Sequence, residues 1–473
     1  MNKFDPTDLA RWSEGEWCNG VPDVINGIVH DSRTTKPGRL YVALRGENHD
    51  GHAFLSDARN AGAVAGLIDQ RECLKTCKDL PLLCVKDTRR ALLNMAAGHR
   101  SRLRGKIIGI TGSAGKTSVK EMTADVLSLL GRTTRTFGNW NNDIGLPLSL
   151  LRMHTTDAFG VFEVGMNHPG ELGPLCELLA PSCGIMTSIG PVHIEYFESV
   201  DAIAAEKAEL LRSLDSSGMA VLGKDEKWYD YFRSQMHGRI ISVSLREDAD
   251  YRGVPDGPDR MRVYERGSRG AYVYDLPIPG KYAMDNALRA IAIGRQHGLP
   301  HEELIEAISS YRPAEMRWAR TESGGIRFIN DAYNSNPLSM RAALDAFAEM
   351  ETEGRKWLVL AGMYELGAME KQAHLDAGRD VARGTWEGVI VVGDLGSLIA
   401  DGAEQAGFIG SIYRCDCSAS AARKLHEHVV PGDAVLMKAS RGERLEDVLK
   451  EYKLICSTNP RPMDGTCNVT GSK

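Results

Sequence analysis

Residues 106–118, KIIGITGSAGKTS, constrain this chain more tightly than any other stretch. The apolar run Lys106 to Thr111 reads as a buried strand, and Val119, Met122, Val126, Leu129 and Leu130 then recur at helical spacing. Strand, glycine loop and helix in that order open a βαβ unit, which requires a parallel sheet with helices on its faces. Gly112 and Gly115 permit close backbone approach, and the helix N-terminus behind them offers amides to a phosphate. The loop Gly112, Ser113, Ala114, Gly115, Lys116, Thr117 and Ser118 is therefore a candidate nucleotide cradle. Lys116 is expected against the β- and γ-phosphates and the Thr117 hydroxyl on Mg²⁺. A strict eight-residue motif needs glycine where Ile110 stands, so the match is to the shorter GxxGK[ST] form. A plain strand-to-helix turn with a solvated lysine competes with this reading, and the flanking strand and helix favour nucleotide binding.

The alternation continues on both sides. Strand-like runs at Phe159 to Val164, Gly184 to Ile189 and Met219 to Leu222 alternate with helical stretches, which predicts a doubly wound central domain. Short β-branched runs at Val24 to Val29, Leu40 to Leu44 and Val64 to Ile68, broken by turns, predict a small N-terminal α/β unit. From about residue 317 the pattern restarts, with strand-like runs at Trp357 to Met363, Gly388 to Gly393 and Ala434 to Met437 and a further helix after Gly442. That is a third domain, of dinucleotide-fold type. A chain of 473 residues has room for about three domains, and the expected bounds are 1–86, 87–316 and 317–473. The stretch from about Leu454 lacks periodicity and reads as a loose tail. The fold class is α/β throughout.

Composition excludes several functions. With 57 basic against 63 acidic side chains the formal charge is -6, so no global basic field exists to hold nucleic acid or an anionic membrane. No apolar run approaches the roughly 18 residues of a membrane span, and the N-terminus lacks a leader pattern. The ten cysteines include no CxxC pair and read as reduced thiols of a cytoplasmic protein, which makes the Asn468-Val469-Thr470 sequon a chance tripeptide.

Three side chains are placed where they can organise metal and acceptor. Glu163 ends the run AFGVFE at the carboxyl edge of the sheet, where ligands collect. His193 follows another strand end in SIGPVHIEYF, and Lys207 lies among alanines and leucines in AIAAEKAELL, on a largely buried helix face. Taken singly, a solvated strand end, a surface histidine and a snorkelling lysine explain them equally well.

Together the motifs carry a resemblance. TGSAGKTSVKEM, NWNNDIGLPLSLL at Asn139 to Leu151, EVGMNHPGEL, IGPVHIEYFESVDAIAAEKAEL and NDAYNSNPLSMRAAL at Asn330 to Leu344 occur in the order seen in Mur ligases. The chain resembles that family from Asp31 to about Leu449, and most of all its branch that adds D-alanyl-D-alanine to the UDP-N-acetylmuramoyl-tripeptide. The resemblance implies ATP-driven, Mg²⁺-dependent amide ligation through an acyl phosphate. It implies an N-terminal domain for the UDP-sugar, a central ATPase and a C-terminal domain for the amine; a monomer is the expected state, though the sequence does not determine it. By the same resemblance Thr117 and Glu163 hold one Mg²⁺, and Glu163, His193 and a carbamylated Lys207 surround a second. Asn142 lies near the γ-phosphate, Asn286 contacts adenine, Arg317 reaches the phosphates, and Asp331, Tyr333 and Asn334 line the ribose. Ser32 and Arg33, with Arg45, Gly46 and His52, are matched to the UDP end, and Ser440 and Arg441 to the dipeptide.

The chain departs from the family at Asn330 and Ala332, where an acid and a serine are usual, and in LAGMYELG, where Ala361 replaces glycine and Gly362 aspartate. A sibling Mur ligase adding the third amino acid, a folate polyglutamylating ligase, and a non-catalytic nucleotide-binding regulator are the alternatives. The signatures Asn-Trp-Asn-Asn and Tyr-Asn-Ser-Asn-Pro favour the dipeptide-adding branch, and Glu163, His193 and Lys207 together disfavour a mere binder.

Overall fold

The computed structural model describes residues 2–46 and 49–458. Its elements alternate between helices and the strands of three sheets, the α/β class expected. They fall into two compact bodies. The first holds the chain up to Ile189 with Phe197–Pro277 and Ala283–Tyr311; the second holds Gly190–Tyr196, Ile278–Tyr282 and the chain from Arg312. Two internal pieces of the expected 87–316 segment, and its end from Arg312, thus cluster with the C-terminal part.

The first body carries two sheets. The N-terminal one runs Glu16–Cys18, Leu82–Cys84, Ala65–Ile68, Leu40–Val42, Ile28–Val29, parallel except at Glu16–Cys18. Its strands are shorter than the β-branched runs suggested. Leu40, Tyr41, Val42, Ala65, Leu67 and Ile68 are all buried, as a parallel sheet covered on both faces requires.

The second sheet has nine strands. Lys106–Thr111 lies between Phe159–Glu163 and Cys183–Met186, with Thr133–Arg135 at one edge and Met219–Gly223 and Arg239–Ser244 on the other side. The chain leaves this strand toward one side and later crosses to the other, so strand order reverses beside it. The carboxyl end of a strand at such a reversal is where α/β sheets bind ligands. Tyr251–Pro255, Arg260–Glu265 and Tyr272–Asp275 complete the sheet as an antiparallel meander. In Arg260–Glu265 buried Met261 and Val263 alternate with exposed neighbours, the mark of a sheet face open to water.

The helix after the glycine loop, Lys116–Ser128, buries Val119, Met122 and Val126 but stops before Leu129 and Leu130, which are 50% and 42% exposed. The Leu129 and Leu130 amides bond the carbonyls three residues back, and this tightened last turn swings both leucines off the apolar face.

The second body is built on six strands ordered Ala319–Ser323, Ile326–Asn330, Ala434–Lys438, Lys356–Leu360, Gly388–Val392, Ser411–Cys415, parallel but for the first. The helix Glu446–Thr458 runs on through the start of the expected tail, because Val448, Leu449 and Tyr452 are buried on one face. The rest of that tail, with the Asn468 sequon, lies outside the described residues. The nine described cysteines are free thiols, and no described helix is long and apolar enough to cross a membrane.

Candidate active site

The glycine loop is shaped by two positions where a side chain does not fit. Gly112 has φ +148°, and a Cβ there would lie 1.8 Å from Thr187 Oγ1; Gly115 has φ +86°, with Asn286 Oδ1 2.5 Å from its Cβ position. The loop is strapped to the neighbouring strand end. Ser113 N donates to Ser188 O at 2.7 Å, Thr187 N to Thr111 O at 2.9 Å and Ser188 Oγ to Ala114 O at 3.3 Å. The helix Lys116–Ser128 starts on Gly115 without a side-chain cap. Its first-turn amides and positive dipole end therefore emerge at the loop, an arrangement suited to phosphate. Lys116 Nζ donates to Gly112 O at 2.7 Å, which folds the ammonium back over the loop.

Glu163 ends the adjacent strand and is 1% exposed. Its backbone N donates to Thr136 Oγ1 at 2.9 Å, and Asn141 Nδ2 donates to Oε2 at 3.3 Å. Oε1 is buried with no hydrogen-bond partner and stands 3.5 Å from Lys120 Nζ. Lys120 is itself wholly buried. It donates to the carbonyls of Thr136 and Gly138, at 3.1 and 3.2 Å, and pairs with Glu121 at 2.7 Å. Each buried charge here has its counter-charge, which low-dielectric surroundings demand. Lys207 closes the helix Val200–Lys207 and is likewise buried. Burial, then the Lys116 charge, push its amine well below the ordinary lysine range, with Glu206 opposing. Asn142 Oδ1 accepts from Gly145 N at 2.8 Å and Ile144 N at 3.3 Å, steadying the start of the helix Gly145–Arg152.

Residues 24–100 match the Mur ligase family catalytic domain, 110–294 the Mur ligase middle domain and 316–441 the Mur ligase glutamate ligase domain. A UDP-N-acetylmuramoyl-tripeptide--D-alanyl-D-alanine ligase of Bacillus subtilis is 33% identical over 455 residues, 95% of this chain and 98% of that protein. The chain belongs to the Mur ligase family. The like-named ligase of Escherichia coli is 30% identical over 91% of this chain and 94% of its own. Among solved structures, MurF from Acinetobacter baumannii superposes with a TM-score of 0.84 at 27% identity, covering 96% of this chain and 99% of that one. MurF from Thermotoga maritima in complex with ADP, at 24% identity and TM-score 0.75 over 91% and 98%, shares the fold.

For a Mur ligase the donor chemistry fits magnesium. Thr117 and Glu163 offer hard oxygens, and Glu163 Oε1 is an orphaned buried acceptor. Among the described residues no three His, Cys, Asp or Glu side chains gather into a ready-made metal cluster. Magnesium, which takes one or two carboxylates and completes its shell with phosphates and water, needs none.

His193 belongs to the second body. It has φ +53°, and its Nδ1 lies 2.5 Å from Oε2 of Glu365, itself at φ +61°. Two non-glycine residues in the left-handed region facing each other store backbone strain of about 1 kcal/mol or more apiece. In the same body Asp331 Oδ2 pairs with Lys438 at 2.8 Å, and its Oδ1 accepts from Trp318 N at 3.1 Å. Lys438, 3% exposed, also donates to the carbonyls of Asp331 and Asn334. The Arg317 guanidinium sits 4.2 Å over the Tyr333 ring, and Met316 and Trp318 on either side of it both have positive φ. Arg317, Asp331, Tyr333 and Asn334 thus gather in one place. Ser440 is a buried joint, its hydroxyl donating to Ser335 O and accepting from Tyr364 N, and Arg441 pairs with Glu446 at 2.5 Å.

In the N-terminal sheet's loops, Asp31 caps the turn Ser32–Thr34 and accepts from Nε and Nη2 of Arg33, at 3.0 and 2.8 Å. Arg45 pairs with Asp69 at 2.8 Å, and Gly46 N donates to His49 O. His52 is a buried strut: Nδ1 lies 2.6 Å from Asp50 Oδ1, and Nε2 accepts from Asp69 N.

Asn330 Oδ1 accepts from Ala332 N at 3.1 Å, a bond that an aspartate oxygen makes equally well, and Ala332 is buried in the apolar core. Lys120, Asn141, Glu365 and Lys438 were not legible as site residues. Three of them lie inside the motifs quoted above, and Lys120 is also spaced with Ala124 and Leu127, all buried on one helix face.

Proposed function

We propose that this protein is the ATP-dependent, ADP-forming ligase that adds D-alanyl-D-alanine to UDP-N-acetylmuramoyl-tripeptide in peptidoglycan precursor synthesis. The observation that carries the reading is an uncapped phosphate-loop helix beside a buried carboxylate, Glu163, and a buried amine, Lys207, in a chain collinear with ligases of that name.

The segments 1–86, 87–316 and 317–473 take the UDP-sugar, ATP and the dipeptide. First-turn amides and Lys116 receive the β- and γ-phosphates and offset the repulsion as the tripeptide carboxylate attacks the γ-phosphorus. The carboxylate becomes an acyl phosphate and ADP departs. The dipeptide amine then adds to the acyl carbon, and the tetrahedral adduct expels phosphate. Thr117 and Glu163 would hold one magnesium ion, and Glu163, His193 and the carbamate of Lys207 a second; bound magnesium supplies charge neutralisation at the phosphates. The lowered proton affinity of Lys207 supports the carbamate, since only a neutral amine takes up carbon dioxide. Asn142 serves the γ-phosphate, Asn286 the adenine, Arg317 the phosphates, and Asp331, Tyr333 and Asn334 the ribose. Ser32, Arg33, Arg45, Gly46 and His52 serve the UDP end, and Ser440 and Arg441 the dipeptide. We place the protein in the cytoplasm, where its described free thiols are stable, as a monomer.

The test is phosphate release from ATP and Mg²⁺ with UDP-N-acetylmuramoyl-tripeptide and D-alanyl-D-alanine, each omitted in turn. Release that requires the dipeptide supports the reading. Release triggered by a single amino acid or by glutamate assigns the chain to a sibling ligase.

A further inference from the structure

The strand Lys356–Leu360 runs out into LAGMYELG. Gly362 sits at the carboxyl edge of its sheet, its carbonyl accepting from Ser440 N at 2.9 Å. A Cβ on Gly362 would lie 2.3 Å from Glu443 Oε1 and 2.9 Å from Leu395 Cδ1. The carboxylate of Glu443 therefore fills the volume that a side chain at 362 would take. Glu443 ends the turn Arg441–Glu443, whose backbone closes with Glu443 N on Ser440 O at 3.1 Å.

Gly393, at φ +77°, has its Cβ position 3.8 Å from Glu443 Oε2, an ordinary contact distance, and Gly442 lies under the Tyr364 ring, whose Cε2 would be 2.4 Å from a Cβ there. The Tyr364 phenol hydrogen-bonds Glu443, while its ring is 40% exposed, so the pair is reachable from solvent. Neighbouring cations are committed elsewhere, Arg441 to Glu446 and Arg444 to Asp447. Among the described residues no cationic side chain forms an ion pair with Glu443. A carboxylate set against Gly362 at the carboxyl ends of parallel strands, oriented by a phenol and making no ion pair, is placed to take a cation.

We infer that Glu443, whose carboxylate fills the volume beside Gly362, binds the ammonium group of the incoming dipeptide. The inference rests on the dipeptide-ligase reading above and names the residue that selects its amine substrate. An amine arrives in water as a cation, and the carboxylate both attracts it and fixes the end of the molecule that must face the acyl phosphate.

The experiment is steady-state kinetics with each substrate varied in turn. Glu443→Gln should raise the KM for D-alanyl-D-alanine by about tenfold or more, the effect of losing a charged hydrogen bond, with the KM values for ATP and the UDP-tripeptide within about twofold of wild type. Tyr364→Phe should raise the same KM by a smaller factor, and it carries the test if Glu443→Gln does not fold. The double variant Gly362→Asp/Glu443→Ala should recover most of the lost dipeptide affinity, because it returns a carboxylate to the vacated volume. An unchanged dipeptide KM in Glu443→Gln, or a fall in kcat with all three KM values unmoved, overturns the inference while leaving the ligase reading intact. A wild-type protein that releases no phosphate with the dipeptide overturns both.

Discussion

Lys120 Nζ stands 3.5 Å from Oε1 of Glu163, and neither side chain is more than 1% exposed. The pair joins the helix after the glycine loop to the end of the neighbouring strand, and the same ammonium holds the carbonyls of Thr136 and Gly138. Removing one partner of a buried pair strands the other charge. Lys120→Met should cost about 3 kcal/mol of stability, seen as a lower urea midpoint. It should also raise the Mg²⁺ concentration needed for ADP binding, because Glu163 loses its orientation. A variant with the wild-type midpoint would show that the pair holds nothing.

Lys207 makes stability depend on pH in a defined direction. Burial and the nearby Lys116 charge hold its folded-state pKa well below the ordinary 10.5, so between the folded value and 10.5 the unfolded chain keeps a proton that the folded chain has shed. Stability therefore rises with pH through the window between the folded value and 10.5, and the penalty disappears above it. In carbon dioxide-free buffer Lys207→Met should melt higher than wild type at pH 7 and match it near pH 11, with turnover abolished. Equal melting temperatures at pH 7 would contradict the lowered proton affinity.

Asp50 titrates the other way. Burial would raise its carboxyl, but bonds from the His52 backbone and ring and from Gln70 outweigh that and hold it at about 2. A depressed folded pKa contributes stability above the unfolded value of 3.8, lost as pH falls through about 2. Asp50→Asn should lower the melting temperature at pH 6, and the gap from wild type should close between pH 4 and pH 2. A gap that persists at the lowest pH would point to shape rather than charge.

Gly112→Ala tests the loop. The methyl group meets Thr187 Oγ1 at 1.8 Å from a backbone held at φ +148°, so the loop must shift. ADP affinity by calorimetry should fall roughly tenfold or more, as displacement of a phosphate cradle by about an ångström implies. Wild-type affinity would mean the loop does not contact the nucleotide.

The glycine loop was legible because everything it needs is contiguous: a buried strand, two glycines, and Lys116 and Thr117 at the head of a helix. The gathering of Arg317 with Asp331, Tyr333 and Asn334 was reached through family resemblance rather than through spacing. The end of the helix was misjudged at Leu129 and Leu130, since apolar periodicity does not say where the chain must turn back to pair as Thr133–Arg135. The helix Glu446–Thr458 was cut short for the opposite reason: its apolar face appears only once Tyr452 is seen packed on Phe328.

By itself, the order of residues determined the α/β alternation, the glycine loop between strand and helix, and the membership of the Mur ligases, because each rests on short-range pattern or on motif order. Tertiary structure alone decided that Lys120 neutralises Glu163, that Glu365 faces His193 and that Glu443 occupies the place left by Gly362. Those contacts join residues far apart in the chain, and the register of a sheet or the path of a loop sets them, so no local period encodes them.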